Sequence, residues 1–155
     1  MSVWEAIATG FDGVFVPLGP LGLGTGLSAA ELAWREERVW EVLRGLGPHT
    51  WGGTAAVEEF AQRPFAALPA GVQSVVLLMR ALVGRPPLVL LDEVWAGMDD
   101  GMVRAARAYL RRGGGIGEDQ AVVVVSHWED EVPWGVEDGV KRFRLEGGVG
   151  MRVQP

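Results

Sequence analysis

The feature that most limits how this chain can fold is a pair of short, wholly apolar runs. Leu88 to Leu91 reads LVLL and Ala121 to Val125 reads AVVVV, with a helix-patterned stretch between them. A strand that is apolar at every position has no face to give to water, which is the signature of a parallel sheet covered on both sides. The intervening stretch opens at Asp99 and Asp100, either of which can cap a helix, and runs to about Leu110. The pattern therefore predicts a strand-helix-strand unit, half of an α/β sandwich. A two-glycine hairpin follows it, over Phe143 to Val153 around Gly147-Gly148.

Both apolar runs end in polar residues. The first passes into Asp92-Glu93, the second into Ser126-His127. Acids after an apolar run are also what a strand emerging into water produces, so this pattern alone is ambiguous. The alternative is that a buried strand delivers carboxylates to a fixed point. One can then hold a hydrated Mg²⁺, and the next can orient a water for attack on a phosphate. Open α/β sheets bind ligands at the C-terminal ends of their strands. If the two strands are neighbours, Asp92, Glu93 and His127 converge there, with Asp99 on the loop that opens the next helix.

The first half reads as helices. Ser2 and Glu5 form a capping box, as do Ser28 and Glu31. Val3, Ile7 and Phe11 line one face of the opening helix. The second helix runs to about Gly45, with Leu32, Val39, Trp40 and Leu43 as its stripe. Between them, Val16 to Leu27 (VPLGPLGLGTGL) has the composition of a mobile loop. Thr54 is expected to cap a short helix through Phe60. A further helix over Gly71 to Val83 places Val72, Val75, Val76, Met79, Leu82 and Val83 on one face. The expected organisation is a helical part, residues 1–83, and a sheet part, residues 84–155, together forming one incomplete unit.

Composition narrows the function classes. The net charge is −6, which argues against a broad grip on nucleic acid. There is no cysteine, so thiolate metal sites are excluded, and the two histidines, His49 and His127, are far apart. His49, beside Pro48, reads as a surface residue, and the scattered tryptophans as packing. No run approaches the roughly 18–20 apolar residues of a membrane span, and the start lacks the basic segment of a secretion signal. These features lead us to expect an intracellular chain, soluble or peripheral to a membrane.

The stretch RALVGRPPLVLLDEVWAGMDD, Arg80 to Asp100, resembles the Walker B segment and D-loop of ATP-binding cassette (ABC) ATPases. VVVVSH resembles their switch-histidine strand, and FAALPAGVQSVVLLMRALV their signature segment and the helix after it. The motif-bearing resemblance covers Phe65 to His127; more loosely it extends back to Met1. The opening SVWEAIATGFDGVF is similar to the molybdate-transport-related group. The resemblance implies a partial P-loop NTPase fold of ABC type: helical subdomain, strand-helix-strand core, then hairpin. It implies Mg²⁺ with ATP as cofactor, and catalytic roles for Glu93 on the attacking water and His127 on the γ-phosphate. Asp92 would hold the ion through water, and Asp99 would be the D-loop acid. Pro69, Gly71 and Gln73 would face a nucleotide held by a second cassette, packed head to tail, with a membrane domain as a further partner.

The departures from that pattern are equally specific. Val94 stands where proline usually follows the glutamate, a change expected to be minor. Pro69 replaces the signature serine and has neither a hydroxyl nor an N–H. A phosphate-binding loop needs Gly-x-x-x-x-Gly-Lys-Ser/Thr, and the only lysine among the 14 basic residues is Lys141, followed by Arg142. The glycines from Gly19 to Gly26 lack a lysine and a preceding strand. The chain is thus expected to be the later part of a cassette, inactive by itself as an ATP hydrolase. The alternatives are a degenerate cassette that binds an intact partner without hydrolysis, and the related chromosome-maintenance ATPases, against which the absence of a long heptad run argues.

Overall fold

The computed structural model describes residues 1–111, 115–127 and 131–153. Among the described residues, five α-helices and two pairs of strands follow in order: α1 (Val3–Ala8), α2 (Ala29–Leu46), α3 (Val57–Gln62), α4 (Ala70–Val83), β1 (Leu88–Asp92), α5 (Asp100–Arg111), β2 (Ala121–Val125), β3 (Arg142–Glu146) and β4 (Val149–Val153). Both predicted capping boxes are present. The Ser2 and Ser28 hydroxyls accept from the Glu5 and Glu31 amides, and each glutamate reaches back to its serine amide. Such caps satisfy amides that a helix start otherwise leaves without partners.

Other expectations shift. Thr54 does not cap α3, which begins after Ala56 with no side-chain hydrogen bond. The glycine-rich loop is tied down rather than loose. The Trp4 indole donates to the Leu21 carbonyl at 3.0 Å, Arg35 to the Leu23 carbonyl at 2.7 Å, and the Gly24 amide to the Leu18 carbonyl at 2.7 Å. Composition signals a lack of regular structure; it does not reveal side chains elsewhere that anchor the loop.

α1, α2, α3 and α4 build the first part of the core. Ile7, Val39, Leu43, Phe60, Met79 and Leu82 are fully or almost fully buried. Buried within it is Arg38, 3% exposed. Its Nε and Nη2 donate to the Val83 and Leu82 carbonyls at 3.2 and 3.3 Å, and Nη1 pairs with Glu41. The guanidinium thereby gives the Val83 carbonyl a donor and adds one to the Leu82 carbonyl, which also accepts from the Arg85 amide at 3.1 Å.

β1 and β2 are parallel neighbours in the register Leu88↔Ala121 to Asp92↔Val125. Val89 and Leu91 point into the core, at 2% and 3% exposure. The expectation of cover on both faces fails. Leu88, Leu90, Val123 and Val125 lie on the other face and are exposed, Leu90 to 66%. Among the described residues, the chain supplies helices for only one side of this sheet. β3 and β4 pair antiparallel across Gly147-Gly148, whose φ angles of 56° and 81° suit a tight hairpin turn.

Candidate functional site

The register sets the site. β1 and β2 end together, so Asp92, Glu93 and His127 emerge at the same sheet edge. The Glu93 amide still donates to the Val125 carbonyl at 3.0 Å, and the chain then turns sharply, with Ala96 N–H on the Glu93 carbonyl. Glu93 adopts φ 44°. That left-handed conformation costs a non-glycine residue about 1–2 kcal/mol. Its Oε1 lies 2.7 Å from His127 Nε2, with the side chains 54% and 79% exposed. A contact this open to water contributes at most about 1 kcal/mol, so it does not offset the strain by itself. The strand bond at the Glu93 amide and the turn beyond it hold the residue there.

Val94, expected to be a minor departure, affects the backbone of its neighbour. A proline at 94 would push residue 93 toward extended conformations; valine leaves Glu93 free to turn left-handed. Asp92, on the same face as Val125, is exposed.

Asp99 Oδ1 accepts from the Met102 amide at 2.8 Å and so caps α5. On the other flank, Pro69 opens α4 with no side-chain cap. Gln73 Nε2 instead donates to the Leu68 carbonyl at 3.0 Å. Gly71 is buried against the turn that follows Glu93. A Cβ at this position would stand 2.1 Å from the Gly97 carbonyl oxygen. Nearby, the Ser74 hydroxyl donates to the Ala96 carbonyl at 3.0 Å. The first turn of α4 and the segment leading to Asp99 are thus packed backbone to backbone. Ser74 carried no sequence signal, because it sits on the polar side of the α4 stripe.

Beside β1 lies an open groove of about 350 Å³, lined by Ser74, Leu77, Ala81, Leu90, Asp92 and Glu93. Its walls are largely aliphatic, so it does not resemble a phosphate cradle. Among the described residues no three His, Cys, Asp or Glu side chains cluster to hold a metal. A single aspartate at a strand end does fit Mg²⁺, which keeps several waters and takes phosphate oxygens as ligands. The phosphate end does not fit: the 155 residues contain no Gly-x-x-x-x-Gly-Lys-Ser/Thr.

Two parallel strands thus end in paired carboxylates and a histidine, flanked by a helix whose second residue is the buried Gly71. No family model matches the chain. In sequence it is similar to an uncharacterised ABC transporter ATP-binding protein of Schizosaccharomyces pombe, 36% identical over 77 residues, which is 50% of this chain and 15% of that protein. It is also similar to the hemin import ATP-binding proteins of Streptomyces coelicolor, 38% identical over 109 residues (57% of this chain, 36% of that one), and Rhodococcus jostii, 41% over 75 residues (46% and 24%). In structure it is similar to an ATP binding subunit of an ABC transporter, with TM-score 0.55 and 19% identity over 82% of this chain and 42% of the other. At that identity the structural likeness speaks to the fold alone. The chain is thus similar in sequence to segments of ABC transporter ATP-binding proteins, and its fold is that of part of an ABC transporter's ATP binding subunit, a partial P-loop NTPase fold. The matched segments span between 15% and 36% of the curated relatives' length. Among the described residues no helix is long and apolar enough to cross a membrane.

Proposed function

We propose that the chain carries the hydrolytic edge of an ABC ATPase that couples ATP binding and hydrolysis to transport or a related conformational task. It would work inside the cell, soluble or peripheral to a membrane. The observation that carries this reading is the 2.7 Å contact between Glu93 Oε1 and His127 Nε2 at the shared end of two parallel strands. In this reading Glu93 accepts a hydrogen bond from the attacking water and holds it in line with the γ-phosphate. His127 donates to a γ-phosphate oxygen, and Asp92 holds hydrated Mg²⁺. When bound with ATP, the ion neutralises charge that develops on the phosphates. Gly71, Gln73 and Pro69 would face a nucleotide on a second cassette, and Asp99 would lie at that same junction. The lysine-bearing phosphate loop would come from polypeptide outside these 155 residues. A place in the molybdate-transport-related group rests only on the opening SVWEAIATGFDGVF.

A second reading has a specific observation in its favour. Pro69 gives α4 no side-chain cap and offers no hydroxyl to a phosphate, as expected for a cassette that binds a partner without hydrolysing.

A graft separates the two. The segment of the Streptomyces coelicolor protein that this chain matches would be replaced by the corresponding residues of this chain, and Mg-ATP binding and turnover measured. Hydrolysis that disappears in Glu93→Gln while binding persists supports the ATPase reading. Binding without turnover when Glu93 is intact favours the degenerate cassette. Turnover that survives Glu93→Gln overturns the role given to Glu93. The 155-residue chain alone should show no micromolar affinity for Mg-ATP by calorimetry, because backbone and lysine donors for the phosphates are missing.

A further inference from the structure

His127 follows the last residue pair of β2, and its imidazole is 79% exposed. A side chain so open to water is not held by packing, yet its Nε2 meets the Glu93 carboxylate. The neighbouring bonds supply a reason. Trp95, two residues beyond Glu93, is 7% exposed and belongs to the core cluster. A buried indole N–H needs an acceptor, and it finds the Glu131 main-chain carbonyl at 2.9 Å, four residues beyond His127. The Glu131 carboxylate in turn accepts from the Ser126 hydroxyl, immediately before His127. One residue further, the Val132 carbonyl accepts from Arg107 Nη2 of α5 at 3.3 Å. The chain on either side of His127 is therefore joined to itself through Glu131, and joined through Trp95 to the turn that carries Glu93.

We infer that Trp95 and Glu131 are positioning residues that hold His127 beside Glu93. The inference rests on the proposed role of the Glu93–His127 pair but is tested without nucleotide. Trp95 fixes one side because it is anchored in the core, and Glu131 fixes the other by binding both the indole and Ser126. Neither side chain need touch a substrate. Their effect is on the fraction of time the imidazole spends at the carboxylate.

The chain has two histidines, and His49 is exposed, so it serves as an internal reference. Diethyl pyrocarbonate acylates free imidazole nitrogen, and mass spectrometry gives the ratio of His127 to His49 labelling in one sample. In the unsubstituted chain, engagement of Nε2 should slow His127 relative to His49. Trp95→Phe keeps the ring bulk and removes the N–H; Glu131→Ala removes the acceptor for Ser126. Each should raise the ratio by about two- to tenfold, the population change that losing one hydrogen bond produces. Glu131→Gln, which keeps an acceptor oxygen, should stay near the original ratio. Thermal melts of each variant confirm that the comparison is between folded chains. If Glu93→Ala raises the ratio while Trp95→Phe and Glu131→Ala leave it unchanged, the positioning role is overturned and the pair survives. If Glu93→Ala also leaves it unchanged, the pair itself fails, and the reading beneath the inference with it.

Discussion

Gly71→Ala is expected to destabilise the chain by about 1–2 kcal/mol with no nucleotide present. The added Cβ would sit 2.1 Å from the Gly97 carbonyl oxygen, 3.0 Å from its carbon and 3.1 Å from Met98 Cα. All three are backbone atoms, so relief requires the loop to move. That loop is pinned by the Ser74 hydroxyl on the Ala96 carbonyl and by the Met98 amide on the Trp95 carbonyl, each at 3.0 Å. Overpacking of this kind costs about 1–3 kcal/mol. Alanine recovers up to about 1 kcal/mol over glycine in a helix interior, and less in a first turn. The net loss should lower the melting temperature by about 2–4 °C per kcal/mol for a chain of this size. Urea unfolding of both proteins measures it directly. Gly45→Ala is the comparison: its Cβ would meet Tyr109 Cε2 at 2.1 Å, but a side-chain ring can rotate away, so the cost should be smaller. Equal or greater stability in Gly71→Ala would refute the packing argument. It would leave Gly71 to be explained by a ligand instead.

Three further outcomes are expected. Glu93→Gly should stabilise the chain by about 1 kcal/mol in chemical denaturation, because glycine adopts φ 44° without the penalty that Glu93 bears; lower stability would show that the His127 contact outweighs the strain. Leu90→Lys should reduce concentration-dependent association in sedimentation while leaving the melt unchanged, since Leu90 is 66% exposed on an apolar sheet face. Burial holds the Tyr109 phenol above its ordinary value of 10.0, with Arg38 pulling the other way. Folding therefore favours the protonated phenol, and the stability it contributes below pH 10.0 is lost as pH rises through the raised value. Melts of Tyr109→Phe should show a shallower alkaline decline than the parent; identical slopes would remove Tyr109 as the cause.

What the sequence disclosed depended on whether the cause was local. Capping boxes at Ser2 and Ser28 are short-range chemistry, and both formed. The LVLL and AVVVV runs announced strands, and their polar ends met at one edge because parallel strands in register end together. The exposed face of that sheet was not legible, because an all-apolar strand states a need for cover without stating who supplies it. Arg38 carries no local signal of burial, yet it is buried on the α4 carbonyls. Nothing near residue 38 in the sequence points to residues 82 and 83. The same applies to Ser74, whose partner Ala96 lies 22 residues later, and to Glu131, whose main-chain carbonyl meets Trp95 from 36 residues earlier.

The two departures at Pro69 and Val94 share a physical character. Each changes a backbone support and leaves the chemical groups beside it in place. Pro69 removes a cap from α4, but the Gln73 amide returns to the Leu68 carbonyl and secures the same turn from the opposite direction. That bond occupies Gln73, so a nucleotide contact from it would require the bond to break. Val94 removes the restriction that a proline places on its predecessor. Glu93 can then take φ 44°, and in that conformation its carboxylate reaches His127. A residue forced back to an extended conformation would carry its carboxylate elsewhere. The pair at the strand ends is therefore a product of Val94 as much as of Glu93 itself, and Val94→Pro would be expected to separate the two side chains while leaving both in the sequence.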